Sequence, residues 1–353
     1  MSPASSRREG FGRPEAAHPF KAPGRRESRD RWRGGHLPST SELSGISRVA
    51  ARLVQPPWVR AADSYLAPPL GLLKLASALE DAAADVGVVD LQLELEERRI
   101  EPGPSLYRRA AALILDGLPG SATPVIGIGC QRATLPAGIN LARAIKCDCP
   151  GALVLLGGPG VWEAGRAILK RFEAVDAVLE GEAEGTIAGA VSALVGGTDP
   201  SAVPGLRYRS ASAILENPAV DPPSSIDTPR PAYHLVDPER YRSSSPAGLT
   251  VLVETGRGCG PHCVVCYRCW HEGRRTRRRA VRSVASEALW LRESLRPDRL
   301  FLLGPFPFGR RGIAELCSAM REVDTPWATQ CRVGALDAGI AGLLGWGGCR
   351  EIL

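Results

Sequence analysis

Four cysteines fall within eleven positions of this chain, Cys259, Cys263, Cys266 and Cys269, in the segment VETGRGCGPHCVVCYRCW. The first three are spaced C-x3-C-x2-C directly after an apolar run, on a stretch made permissive by Gly256, Gly258 and Gly260. Three thiolates on one tight loop can hold three irons of a cubane cluster and leave the fourth iron open to an inner-sphere ligand. Structural zinc is the competing reading. It favours paired C-x2-C knuckles about a dozen residues apart, and here only Cys269 or His262 is near enough to complete a tetrahedron. The other cysteines, Cys130, Cys147, Cys149, Cys317, Cys331 and Cys349, are scattered. They suggest no disulfide framework.

A loop of this kind needs a strand before it and a helix after it. The apolar run TVLVE at 250–254 and the helical pattern SVASEALWLRESL at 283–295 meet that need. The strands RLFLL, WATQC and CREIL then alternate with the helices GIAELCSAMREV and LDAGIAGLLGW, so 249–353 reads as four strands at βαβ spacing. Upstream, residues 47–199 carry the same alternation: the strand closed by Pro56 and Pro57, VGVVDL, VIGIGC, ALVLLGG and AVDAVLE, separated by helices. In the first helix Leu72, Leu73, Leu75, Ala76 and Leu79 share a face. Unbroken apolar strands imply burial on both faces, hence a doubly wound parallel sheet. Ligands of such sheets sit beyond the carboxyl ends of the strands, so the loops at 56–69, 130–134, 157–162 and 180–184 are expected to line one site. The Pro- and Ser-rich stretch 200–248 reads as a linker. Within it Tyr233, His234, Leu235 and Tyr241 are expected to be a packed contact between domains rather than a site.

Of the 353 residues, 44% are hydrophobic and 23% charged, which excludes a disordered or fibrous chain. The net charge is +6, and the first fifty residues, with ten basic and five acidic side chains, supply +5 of it. Residues 1–46 have no apolar period and read as a disordered basic leader, with an RNA- or partner-binding tail as the other possibility. A folded part this close to neutral argues against nucleic acid. No run approaches the ~18 apolar residues of a membrane span, so a cytoplasmic protein is expected.

The strand–loop VETGRGC with C-x3-C-x2-C, the Arg-rich segment after it and the helix SVASEALWL resemble the radical S-adenosylmethionine enzymes. More narrowly, the chain resembles the subgroup with an N-terminal cobalamin-binding domain. The leader strand with its Pro-Pro, the helix LGLLKLASALE, the strand–GG of LVLLGG and DAVLEGEAE recur there in this order, so the resemblance covers about 47–353. It implies a Rossmann-like doubly wound cobalamin-binding domain at 47–199, followed at 249–353 by the N-terminal part of a TIM-type (β/α) barrel that stops before its remaining strands. It also implies a 4Fe-4S cluster on Cys259, Cys263 and Cys266, whose open iron chelates S-adenosylmethionine. Adenine contact falls beside the third cysteine, where Val265 and Tyr267 stand, and the methionine end meets Gly304. For cobalamin the candidate contacts are Gly157 and Gly158, which leave room for a nucleotide tail, and the loop from Gln131 to Thr134. There is no D-x-H-x-x-G motif, so no histidine is assigned below the cobalt.

The activity so implied is reductive cleavage of S-adenosylmethionine, with a methyl delivered from cobalamin to an unactivated carbon of a small-molecule substrate. A flavodoxin- or ferredoxin-like protein would donate the electron. A radical cyclase or rearrangement enzyme on the same scaffold, or an inactive cobalamin- or zinc-binding remnant, are the rival readings. Arg257 and Arg268 are expected either to favour the reduced cluster or to be solvated loop charges. The acidic turn Glu180, Glu182 and Glu184 is expected at a helix N-terminus, and the Arg run 274–279 on a solvated or substrate-facing loop.

Overall fold

The apolar runs of the first sheet lie between helices that cover both of its faces, the environment in which unbroken apolar strands are buried. The computed structural model describes residues 49–353 except 59–65, 83–84, 120–122, 211–212, 220–221, 225, 227–229, 261–265, 267 and 306–308. The expected basic leader at 1–46 lies outside the described residues.

The first sheet is built from β1 (Ala50–Gln55), β2 (Asp85–Asp90), β3 (Pro124–Gly129), β4 (Leu153–Gly157), β5 (Ala177–Leu179), β6 (Leu206–Ser210) and β7 (Ala213–Glu216), in the order β2-β1-β3-β4-β5-β6-β7. β1 to β5 are parallel, and β6 and β7 extend the sheet as an antiparallel hairpin drawn from the stretch 200–248. Helices α3 (Leu106–Leu115), α4 (Leu135–Asp148) and α5 (Gly165–Arg171) bury Ile114, Ile145 and Leu169 with Ile126, Ile128 and Leu156 on one face. On the other face α1 (Leu70–Asp81) and α6 (Ile187–Leu194) bury Leu72, Leu79 and Val191 with Leu53, Val125 and Leu155. This is the doubly wound arrangement, and strand order reverses between β1 and β3. A short helix, α2 (Leu91–Glu96), follows β2 directly, with Asp90 as its N-cap.

The chain passes through α7 (Pro238–Ser243) to β8 (Thr250–Glu254), β9 (Gly256–Arg257), α8 (Arg268–His271) and β10 (Arg277–Arg278). Then come α9 (Val281–Leu295), β11 (Arg299–Leu303), α10 (Gly309–Val323), β12 (Trp327–Thr329), α11 (Ala338–Trp346) and β13 (Cys349–Ile352). β8, β11, β12 and β13 form a parallel sheet in chain order, the succession of a (β/α) barrel's opening strands. Its core is filled by Val251, Val253, Leu291, Leu300 and Trp327, whose indole N–H donates to the Gly347 carbonyl at 2.8 Å. That core also takes in Leu66, Leu73 and Leu93 from the first sheet's side, so one apolar cluster serves both. Among the described residues no helix is long and apolar enough to cross a membrane.

Candidate functional site

The cysteine loop leaves the sheet through a narrow neck. After β8 the chain forms β9, makes its excursion through the cysteines and returns as β10, which pairs antiparallel with β9 so that Arg277 faces Arg257. Gly258 turns the chain at φ +75, and a side chain there would collide with the Arg275 carbonyl. Cys259 is half-buried, and its amide donates to the Gly273 carbonyl at 3.1 Å. Cys266 is exposed, and neither cysteine is in a disulfide. Cys263, Val265 and Tyr267 lie outside the described residues, and among the described residues no three His, Cys, Asp or Glu side chains are arranged to hold a metal ion. The donor set still fits an iron–sulfur cluster, because Cys259 and Cys266 bracket a loop pinned at its base and neither is locked away from the surface. Gly304, at the end of β11, packs against Thr255 and the backbone of Gly256, where no side chain would fit.

Below the neck lies a buried network that pattern reading missed. Arg257 donates from Nε to Glu254 Oε1 at 2.8 Å and from Nη1 to Glu182 Oε2 at 2.9 Å, and it pairs also with Glu184. Lys74, on α1, donates to Glu254 Oε2 at 2.5 Å. Burial pushes the Glu254 carboxyl up, but Lys74 and Arg257 together outweigh burial and hold it at about 2. Glu182 is likewise held below its ordinary value, with burial outweighed by the hydrogen bond from Arg277 and the charges of Arg257 and Arg277. Arg257 is therefore neither a solvated charge nor a free one. The acidic turn is an ion-pair partner of the neck rather than a helix-dipole feature, while Glu180 pairs with Arg207 at 2.9 Å. In the Arg run, Arg277 and Arg279 point inward to Glu182 and Glu287, whereas Arg274, Arg275 and Arg278 are exposed.

A cleft of about 300 Å³ opens where the strand order of the first sheet reverses. Gln55, Trp58, Asp90, Gln131 and Thr134 line it from the carboxyl ends of β1, β2 and β3, and Leu252 of β8 lines it from the second sheet. Thr134 is buried, and its Oγ1 accepts the Gln131 amide at 2.9 Å, which fixes the start of α4. Gly157 and Gly158 stand behind this loop. At Gly158, with φ +86, a methyl would sit 2.7 Å from the Cys130 carbonyl oxygen, so its bareness admits the neighbouring backbone. Of the four loops expected at one site, those after β1 and β3 line the cleft. The loop after β4 supports it, and the one after β5 turns to the neck of the cysteine loop.

Asp90 carried a readable signal that was passed over: an acid ending an apolar strand immediately before a helix. Its carboxylate accepts from the amides of Gln92 at 3.0 Å and Leu93 at 3.4 Å and from the Tyr241 hydroxyl at 3.1 Å. Tyr241 and Tyr233 are buried as the packing reading expected, but His234 is exposed and meets Glu80 at 2.7 Å. His271, after the cysteine loop, lies edge-on to Trp162, and burial together with the Arg268 charge lowers it to about 4.

No family model matches the chain. By sequence it is similar to an uncharacterized methyltransferase of Pyrococcus horikoshii, with 25% identity over 290 residues, 81% of this chain and 60% of that protein. It is also similar to the anaerobic magnesium-protoporphyrin IX monomethyl ester cyclase of Synechocystis, with 28% identity over 232 residues, 64% of this chain and 42% of that one. The chain thus spans about half the length of these relatives. Among solved structures, the radical S-adenosylmethionine methyltransferase TsrM of Kitasatospora setae, with cobalamin and a [4Fe-4S] cluster bound, superposes with a TM-score of 0.64. The match covers 87% of this chain and 60% of that one at 20% identity. The chain therefore has the fold of this cobalamin-binding radical S-adenosylmethionine protein, the fold expected from its cysteine motif and the succession of segments before it.

Proposed function

We propose that this chain is a cobalamin-dependent radical S-adenosylmethionine enzyme that methylates a carbon of a small-molecule substrate. The observation that carries the reading is the cleft. It is lined by the switch-point loops of the first sheet and by Leu252 of β8, the strand from which the cysteine loop springs. A ligand held by the first domain would thus face the barrel domain across one space. When bound, a cluster on Cys259, Cys263 and Cys266 supplies one-electron reduction of S-adenosylmethionine and cobalamin supplies a transferable methyl. The chain's own share is positional. The loop from Gln131 to Thr134 is fixed by its internal hydrogen bonds, Gly158 lets the backbone at Cys130 pack closely behind it, and Leu66, Pro68 and Leu252 keep the cleft wall apolar. Val265 and Tyr267 are assigned to adenine and Gly304, through its backbone, to the methionine end. A flavodoxin- or ferredoxin-like donor is the partner this chemistry requires.

Chain purified without oxygen and reconstituted with iron, sulfide and hydroxocobalamin is expected to retain cobalamin and to give an iron–sulfur EPR signal on reduction. Ala at any of the three cysteines should abolish that signal. A preparation that takes up zinc but no iron overturns the proposal. The relationship to a cyclase favours one alternative, ring formation or rearrangement on the same scaffold. Product mass separates the two, since only methylation adds a CH2.

A further inference from the structure

The neck of the cysteine loop poses an electrostatic problem. β9 and β10 pair over two residues each, and the register sets Arg257 directly opposite Arg277. Both residues are withdrawn from solvent, at 9% and 6% exposure. Like charges opposite one another on paired strands repel, and buried charge without a counter-charge costs more still. Two ladder positions cannot hold such a pair closed.

The answer comes from another domain. Glu182, on the turn after β5, places Oε2 at 2.9 Å from Nη1 of Arg257 and at 2.9 Å from Nη1 of Arg277, and its Oε1 takes a second bond from Arg277. One carboxylate therefore spans both strands of the neck. Arg257 has Glu184 and Glu254 as further partners, whereas the other acceptors of Arg277 are the carbonyls of Pro223 and Glu272. The neck's charge balance thus depends most on Glu182 at its β10 side.

We propose that Glu182 is a positioning residue for the cysteine loop, a clasp from the first domain that closes the two-strand neck on which the loop is mounted. The closure itself stands on the geometry alone, and its bearing on chemistry rests on the reading of Cys259 to Cys266 as the cluster loop. Whatever displaces the turn after β5 would loosen the neck, so the state of the first domain is felt at the cysteines.

The test is amide hydrogen exchange on the full chain before cluster assembly. Glu182→Gln is expected to accelerate exchange at 256–258 and 277–278 by about tenfold or more while α9 and β11 keep wild-type protection. Adding Arg277→Met removes the orphaned cation, since Arg257 keeps its other carboxylates, and should restore most of the protection. Wild-type exchange at the neck in folded E182Q, or a double variant no better than the single, overturns the clasp. If E182Q does not fold, Glu182→Asp carries the test. Acceleration confined to the neck supports the proposal, and acceleration spread evenly over the chain overturns it. After anaerobic reconstitution, the reduced E182Q chain should show a broadened iron–sulfur EPR signal, and a signal identical to wild type overturns the positioning role. No signal in the wild-type chain would remove the cluster reading, and with it the positioning role, while the exchange result still decides the clasp.

Discussion

Asp90 ends β2 inside the cleft, and burial, outweighing its hydrogen bonds from Gln92, Tyr241 and Leu93, pushes its carboxyl up to about 6. An acid whose folded value exceeds its unfolded one binds its proton more tightly in the folded state. Its contribution to stability is therefore full below the ordinary value of 3.8 and is lost as pH rises through about 6. Asp90→Asn, neutral throughout, is expected to flatten the melting temperature of the chain over that window relative to wild type. An unchanged pH profile would show that Asp90 ionises as a solvated acid does. At this scale the sequence was legible where residue type and spacing are themselves the signal, as with Cys259, Cys263 and Cys266. It was opaque where the partner lies far along the chain. Nothing in the sequence near Arg257 points to Glu182, which is 75 positions away, so that salt bridge follows from topology, unlike the one to Glu254 three positions back.

The elements themselves were easier to read. Apolar runs such as PVIGIG and LVLLG are buried on both faces and have no other way to satisfy their backbone, and a helix follows each of them, as the alternation predicts. β6 and β7 escaped notice because an edge hairpin is half-exposed and polar, as in LRYRS, and β9 and β10 because two residues carry no period. Between elements, the contact of α1 with β8 is the most exposed to test. Lys74 and Glu254 are 3% and 13% exposed, and truncating the lysine leaves a buried carboxylate with Arg257 as its remaining partner. Lys74→Met is expected to destabilise the chain by about 3 kcal/mol, the low end for a broken buried pair, because that partner persists. Combining it with Glu254→Gln should recover part of the loss in a denaturant series. Strict additivity would deny the coupling.

In the whole molecule, the second sheet's core runs without a break into Leu66, Leu73 and Leu93, and Tyr241 ties α7 to Asp90 at the end of β2. Thermal unfolding of the described region is therefore expected as one transition, with near-UV and far-UV signals moving together. Two separated transitions would mean that the shared core is not continuous in solution.

Helix α1 belongs to both lobes at once. Leu72 and Leu79 pack into the first, while the adjacent Leu73 and Lys74 serve the second through its core and through Glu254. An axle shared in this way resists a clamshell opening, which would expose Leu73 and strip Lys74 from Glu254. A bulky guest would have to reach the cleft past its rim, by way of Trp58 and Gln131, and the pace of loading would be set by those surface loops rather than by any parting of the halves.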